Sequence, residues 1–287
     1  MSLSRLLDSD SAREFAADYY QKLPYARPGT AQSLCALGDW EMLRALLAAP
    51  SADVMVCRQG AQRPGELPAD EAGIRALVAE GWTMLVRHAE RHHLALAELA
   101  AGFAADFGAP VNIHFYATPG GNWGFGWHYD AEEVFIVQTA GRKEYKLRKN
   151  TVNPWPLEET MPRDLRYERE IMPLMRCPLA AGDWVYIPSG YWHRGESEPG
   201  DIALSLAIGV MPPTAVNLFD AMRPRALDSM LWRQRLPSAG KAGVLRGEAL
   251  ENHFRELRHQ LSRDLANWIA DDDAWRAWLK EQGYELP

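Results

Sequence analysis

From Asp70 to Phe107, Ala and Leu recur with a period near 3.6, which predicts helices, and GWTMLV between them reads as a short strand. After Gly108 the period falls towards two. VNIHFYAT, HYDAEEVFIVQT, KEYKLR, DWVYIP, HRGES and DIALSLAIGV are short β-rich segments set apart by Gly, Pro and Asn. Many short strands at close spacing predict a jelly-roll or barrel. Residues 149–178 carry Pro154, Pro156, Pro162, Pro173 and Pro178, too many for a regular element, and predict a loop long enough to lie over a site. Upstream, residues 1–50 read as short helical pieces broken at Pro24, Pro28 to Gly29 and Pro50, with DVMVCRQG as a strand. From Pro212 the pattern is helical again, and Leu257, Leu261, Leu265 and Trp268 fall on one stripe. The expected class is α+β, with a mainly helical region 1–110 packed on a β core at 111–212 and a helical region at 213–287. The Leu and Trp stripe of the last region would either form a homodimer interface or pack back on the chain's own barrel.

Composition narrows the classes. A chain of 287 residues, 47% hydrophobic and 24% charged, can bury a large core and is not a disordered composition. A net charge of -7 gives no overall attraction to a phosphate backbone, so nucleic acid is not an expected partner. Cys35, Cys57 and Cys177 are dispersed and odd in number, which suggests neither a disulfide framework nor a thiolate zinc site and fits a reducing cytoplasm. Asp8, Asp10, Arg13, Glu14 and Asp18 occupy the start of the chain where a signal peptide would be apolar, and the longest apolar run, LALAELAAGFAA, is too short to span a bilayer. No membrane association is expected.

The candidate chemistry lies in WHYD. On an extended strand, residues i and i+2 face the same way, so His128 and Asp130 would project an imidazole and a carboxylate together. HAE at His88 to Glu90 has the same spacing but sits in a helical pattern, where such residues face apart. His193 follows GDWVYIPSGYW, a strand ending in a Pro and Gly turn, and so opens the next strand at the barrel mouth. Two imidazoles and one carboxylate on one side of an ion leave adjacent positions open, the arrangement suited to non-haem Fe(II), whereas zinc more often takes a closed shell or three His.

YATPGGNWGFGWHYDAEEVFIVQTAGRKEYKL and GDWVYIPSGYWHRG resemble, within about Gly81 to Pro213, the JmjC-type branch of the cupin superfamily, and in it the bacterial and eukaryotic ribosomal oxygenases. The resemblance implies a double-stranded β-helix, Fe(II), 2-oxoglutarate and O2, with hydroxylation of a protein or peptide side chain and release of succinate and CO2. It makes His128, Asp130 and His193 the catalytic metal triad. Lys143 stands where the family keeps the cation for the distal carboxylate of 2-oxoglutarate, with Glu144 and Lys146 expected on the other face of its strand. Tyr116 matches the strand tyrosine that reaches the same carboxylate, and Ser205 the small or amide residue beside the cosubstrate. His114, where relatives often have Asn, is read as pocket wall, and Trp123, Trp127, Trp184 and Trp192 as core or rim packing or a substrate platform. Two alternatives stand beside this reading: a biosynthetic oxygenase of a small metabolite or modified peptide, and a non-catalytic cupin that binds or senses. The length left after Pro212 is short for both the dimerisation helices and the winged-helix domain of ribosomal oxygenases, which sets the ribosomal substrate in question.

Overall fold

The structure is a computed structural model that describes residues 3–63, 71–161, 175–200, 202–238 and 245–284. The chain divides into two compact units, Met1–Pro212 and Pro213–Pro287. The strands of the first are β1 (Tyr25–Arg27), β2 (Asp53–Arg58), β3 (Ala61–Gln62), β4 (Thr83–Arg87), β5 (Val111–Thr118), β6 (Glu133–Ala140), β7 (Arg142–Arg148), β8 (Met175–Ala180), β9 (Trp184–Ile187), β10 (Trp192–Ser197) and β11 (Ala203–Val210). Antiparallel pairing orders them into a larger sheet, β1-β9-β6-β11-β5-β4-β2-β3, and a smaller one, β10-β7-β8. The two stacked antiparallel sheets make the expected jelly-roll.

The central strands are apolar on both faces because each face meets a different neighbour. On β6, Phe135 and Val137 join the cluster that holds Leu96, Leu99 and Phe103 of helix α4 (Leu94–Phe107), which follows α1 (Ser9–Glu14), α2 (Trp40–Leu47) and α3 (Glu71–Ala79), whereas Val134 and Ile136 join the barrel interior with Tyr145, Leu147 and Leu179. Near-continuous burial of EVFIVQTA follows from this two-sided packing, which masks the alternation expected of a half-exposed strand. Phe135 is the hub of the outer cluster, with ring centroids 5.0 Å from Tyr186 and 5.3 Å from Phe103. Each such buried large side chain contributes roughly 1.5–3 kcal/mol of transfer free energy.

On β11 the two faces differ in size. Leu204, Leu206, Ile208 and Val210 fill the outer cluster, and the alternate positions are Ala203, Ser205, Ala207 and Gly209. Small side chains on the barrel face leave space inside, and this is where the site lies.

Several expectations change. The run HYDAE is not strand: β6 begins at the next residue, Glu133, and His128 forms only an isolated antiparallel bridge to His193. HAE is not α-helical either, since His88 only precedes a single 3-10 turn at Ala89–Arg91. His88 is left-handed at φ 51, its backbone N–H donates to His114 Nδ1 at 3.2 Å, and its own Nδ1 lies 3.5 Å from Glu90, which accepts from the backbone of Ile113 at 2.8 Å. These tertiary bonds override the local pattern. Part of the proline-rich segment is β8, with Pro178 opposite Glu144; β8 is at the edge of its sheet, where a residue without N–H is tolerated. Pro162 and Pro173 lie outside the described residues. Among the first 50 residues, Tyr25–Arg27 is a strand that pairs with β9, a contact invisible to local periodicity.

The second unit is helical: α5 (Ala215–Asp228), α6 (Met230–Arg233), α7 (Gly247–Ile269) and α8 (Asp272–Glu281). The stripe of Leu257, Leu261, Leu265 and Trp268 lies on α7, and the side chain of Asp271 caps α8 through Ala274 N–H at 3.0 Å. Phe219, Leu227, Met230 and Leu236 are exposed. Among the described residues, no helix is long and apolar enough to cross a membrane.

Candidate functional site

One potential ligand atom from each of His128, Asp130 and His193 lies within 4.8 Å of the other two. Backbone geometry brings them together. His128 N–H donates to His193 C=O at 3.1 Å and His193 N–H to His128 C=O at 2.7 Å, a reciprocal pair that fixes the two Cα positions. Tyr129 between them is buried, edge-on to Trp192 at 4.6 Å, while the side chains of His128 and Asp130 stay together. Gly190, at φ 77, donates its N–H to the carbonyl of Asp130 at 2.8 Å, and a Cβ there would fall 2.7 Å from Pro154 O. Only glycine fits that turn.

The two imidazoles are oriented for coordination. Nδ1 of His128 lies 2.9 Å from Gly126 O and Nδ1 of His193 lies 3.0 Å from Tyr191 O. A carbonyl only accepts, so each Nδ1 carries the hydrogen and each Nε2 keeps its lone pair, as metal-bound histidines require. The rings are 4.2 Å apart, and His193 Nε2 is 3.4 Å from Asp130 Oδ2. Burial, with the neighbouring His128, lowers the pKa of His193 to about 4, so it is a neutral donor near pH 7. Two neutral nitrogens and one carboxylate form a donor set that suits Fe(II).

A cavity lined by both histidines continues between the sheets to Thr83, Tyr116, Ile136, Lys143 and Tyr145. Lys143 is 4% exposed, whereas Glu144 and Lys146 pair with each other at 3.5 Å on the other face of β7, as strand alternation requires. Lys143 Nζ donates to Ser205 Oγ at 3.1 Å, and Ser205 is also hydrogen-bonded to Tyr145. Among the described residues no carboxylate pairs with Lys143. Burial therefore lowers its pKa to about 7, offset in part by the nearby Cys57. Tyr116 presents its ring 5.4 Å from Nζ, and burial raises its own pKa. A buried cation without a counter-ion, at the end of a cavity that begins at a donor triad, fits a chelating dicarboxylate.

Of the six residues singled out from the sequence, His128, His193, Lys143 and Tyr116 line one cavity, Asp130 lies with the two histidines, and Ser205 bonds to Lys143. Tyr145 was overlooked, although it is two residues beyond Lys143 and alternation puts both on one face. Thr83 gave no signal, since its place depends on the pairing of β4 with the sheet. His114 accepts from His88 as described, and burial, with His88, lowers its pKa to about 4. Trp184 is core, and Trp123 stacks 4.6 Å from the guanidinium of Arg194.

Residues 92–218 match the family model described as JmjC domain. The chain is 26% identical over 270 residues to the "Bifunctional lysine-specific demethylase and histidyl-hydroxylase NO66" of Culex quinquefasciatus, covering 90% of this chain and 38% of that protein. It is 28% identical over 179 residues to "Ribosomal oxygenase 1" of Gallus gallus, covering 58% of this chain and 30% of that protein. The chain therefore spans well under half the length of these curated relatives. Among solved structures, YcfD, a ribosomal oxygenase from Escherichia coli in complex with cobalt and 2-oxoglutarate, is similar over 94% of this chain and 70% of that one, with a TM-score of 0.58 and 18% identity. A second structure of YcfD gives a TM-score of 0.60 at 19% identity. These likenesses carry the fold, a JmjC-type cupin.

Proposed function

We propose that this JmjC-domain chain is an Fe(II)- and 2-oxoglutarate-dependent oxygenase that hydroxylates a side chain of a protein or peptide. The observation that carries the reading is one cavity with the His128, Asp130 and His193 donors at one place and the uncompensated cation of Lys143 at another. Relatives named as a histidyl-hydroxylase and as a ribosomal oxygenase, and a structural neighbour solved with cobalt and 2-oxoglutarate, support it.

In this reading His128 and His193 coordinate through Nε2, held by the carbonyls of Gly126 and Tyr191, and Asp130 supplies the single negative charge. Iron with 2-oxoglutarate and O2 supplies the oxidation, with succinate and CO2 as co-products. The chain's own part is orientation and dryness. Lys143 holds the distal carboxylate, Ser205 and Tyr145 hold Lys143, the Tyr116 ring walls the cavity, and the small barrel face of β11 leaves room. Three unpaired cysteines are in keeping with a cytoplasmic protein, and the exposed apolar residues of α5 and α6 with a homodimer.

The test is incubation of candidate proteins and peptides with the purified chain, Fe(II) and 2-oxoglutarate in air. Mass spectrometry should find one added oxygen on a side chain, with succinate formed in step. Absence of both from the wild type, with metal bound, rejects the reading.

A further inference from the structure

Outside residues 92–218, strand β4 also reaches the cavity. Thr83 ends that strand next to Thr118 of β5, since Met84 pairs with Ala117, and it stands opposite Cys57 of β2. Its side chain lines the same cavity as Lys143 and Tyr116, and the residue is 1% exposed. Its hydroxyl has no hydrogen-bond partner among the described residues. A buried hydroxyl without a partner costs about 1–3 kcal/mol, so it needs an explanation. Threonine usually escapes that cost by bonding to nearby main chain; here it does not.

The neighbours of Thr83 hold it in place. Gly124 packs so tightly that an added Cβ would lie 2.9 Å from Thr83 Cβ and Cγ2 and 3.0 Å from Cys57 Sγ. The backbone of Gly124 is tied in turn to the β2–β3 hairpin: Gly60 N–H donates to Gly124 O at 2.8 Å and Gln59 N–H to Trp123 O at 3.1 Å. Cβ and the methyl of Thr83 therefore pack on Gly124, and its hydroxyl is left unpaired on a side chain that lines the cavity. The register of β4 on β5 sets Thr83 two residues along from the partner of Tyr116, whose ring lies 5.4 Å from Lys143 Nζ, which places this corner at the Lys143 end of the cavity.

We propose that the Thr83 hydroxyl is a further binding group for the dicarboxylate, donating a hydrogen bond to the distal carboxylate that Lys143 neutralises. The inference rests on the oxygenase reading and adds to it a residue that the JmjC match does not cover. Thr83 positions the cosubstrate and has no contact with the metal triad in this role.

The experiment is titration calorimetry on the Fe(II)-loaded chain without oxygen, with two ligands. 2-Oxoglutarate tests the whole site, and oxalate tests chelation alone, because it has no distal carboxylate. Thr83→Val keeps shape and removes the hydroxyl; Thr83→Ser keeps the hydroxyl. For Thr83→Val we expect 2-oxoglutarate affinity to fall about tenfold or more, as for a hydrogen bond to a charged group, with oxalate affinity unchanged. Thr83→Ser should stay near wild type for both. Wild-type 2-oxoglutarate affinity in Thr83→Val, or equal losses for both ligands, overturns the assignment of Thr83 and leaves the oxygenase reading standing. A wild-type chain that binds oxalate but not 2-oxoglutarate overturns both. If Thr83→Val does not fold, as read by circular dichroism, Thr83→Ala is measured against the same outcomes.

Discussion

Replacing Lys143 by Met should make the protein more stable and ligand-blind together. Lysine normally titrates at 10.5, and burial brings Lys143 to about 7. Its charged form is thus disfavoured in the folded chain relative to the unfolded one. The sign follows from linkage: a depressed lysine pKa leaves stability unaffected above 10.5, reduces it as pH falls from 10.5 towards 7, and holds the penalty constant below that. At about 1.4 kcal/mol per pH unit, the gap corresponds to on the order of 5 kcal/mol below pH 7, and to about 1.4 kcal/mol at pH 9.5. Met fills a similar volume without charge, so the variant should gain most of this at pH 6.5 and much less at pH 9.5. Urea unfolding at the two pH values reads the difference. Dicarboxylate binding should move the other way, because a buried carboxylate left without its partner costs roughly 3–5 kcal/mol, a loss of a hundredfold or more in calorimetric affinity. Lys143→Glu, which sets two anions together, should abolish it. A solvated surface lysine would predict neither effect. Wild-type affinity for 2-oxoglutarate in Lys143→Met refutes the anchoring role, and equal stability of the two proteins at pH 6.5 refutes the uncompensated charge.

Three further outcomes are expected. His193→Ala should lose most bound Fe(II) while keeping its circular dichroism spectrum, and unchanged occupancy by metal analysis would contradict the triad. With Lys143 at about 7 in the free protein, dicarboxylate binding should take up a proton above that pH, so affinity should fall as pH rises from 7 to 9; calorimetry in buffers of different ionisation enthalpy counts the proton, and pH-independent affinity contradicts the mechanism. The exposed Phe219, Leu227, Met230 and Leu236 should lie at a homodimer interface, and a monomeric mass by light scattering at micromolar concentration would rule it out.

What the sequence disclosed was whatever depends on near neighbours. The spacing of His128 and Asp130, the turn before His193, and the opposed faces of Lys143 and Glu144 all follow from two-residue alternation, and the structure keeps them although His128 and Asp130 precede the strand. Features set by distant pairing were hidden. Tyr25–Arg27 is a strand only because β9 offers an edge, β8 contains a proline that only an edge strand accepts, and HAE leaves the α-helical pattern because His114 accepts from His88 and Glu90 accepts from Ile113. Thr83 belongs with these, since nothing within GWTMLV distinguishes a residue facing a cavity from one facing the core.

The reciprocal bonds between His128 and His193 separate two kinds of heredity in the site. Position is written in the main chain, whose N–H and C=O groups are the same for every non-proline residue, whereas chemistry is written in three side chains. Substitution at either histidine would erase the donor and keep the place. In the proposed reading, single changes at a histidine remove or restore metal binding while the folded frame keeps the cavity that Lys143 lines. Catalysis would then be the more easily lost trait, and the receptor beneath it the more durable one.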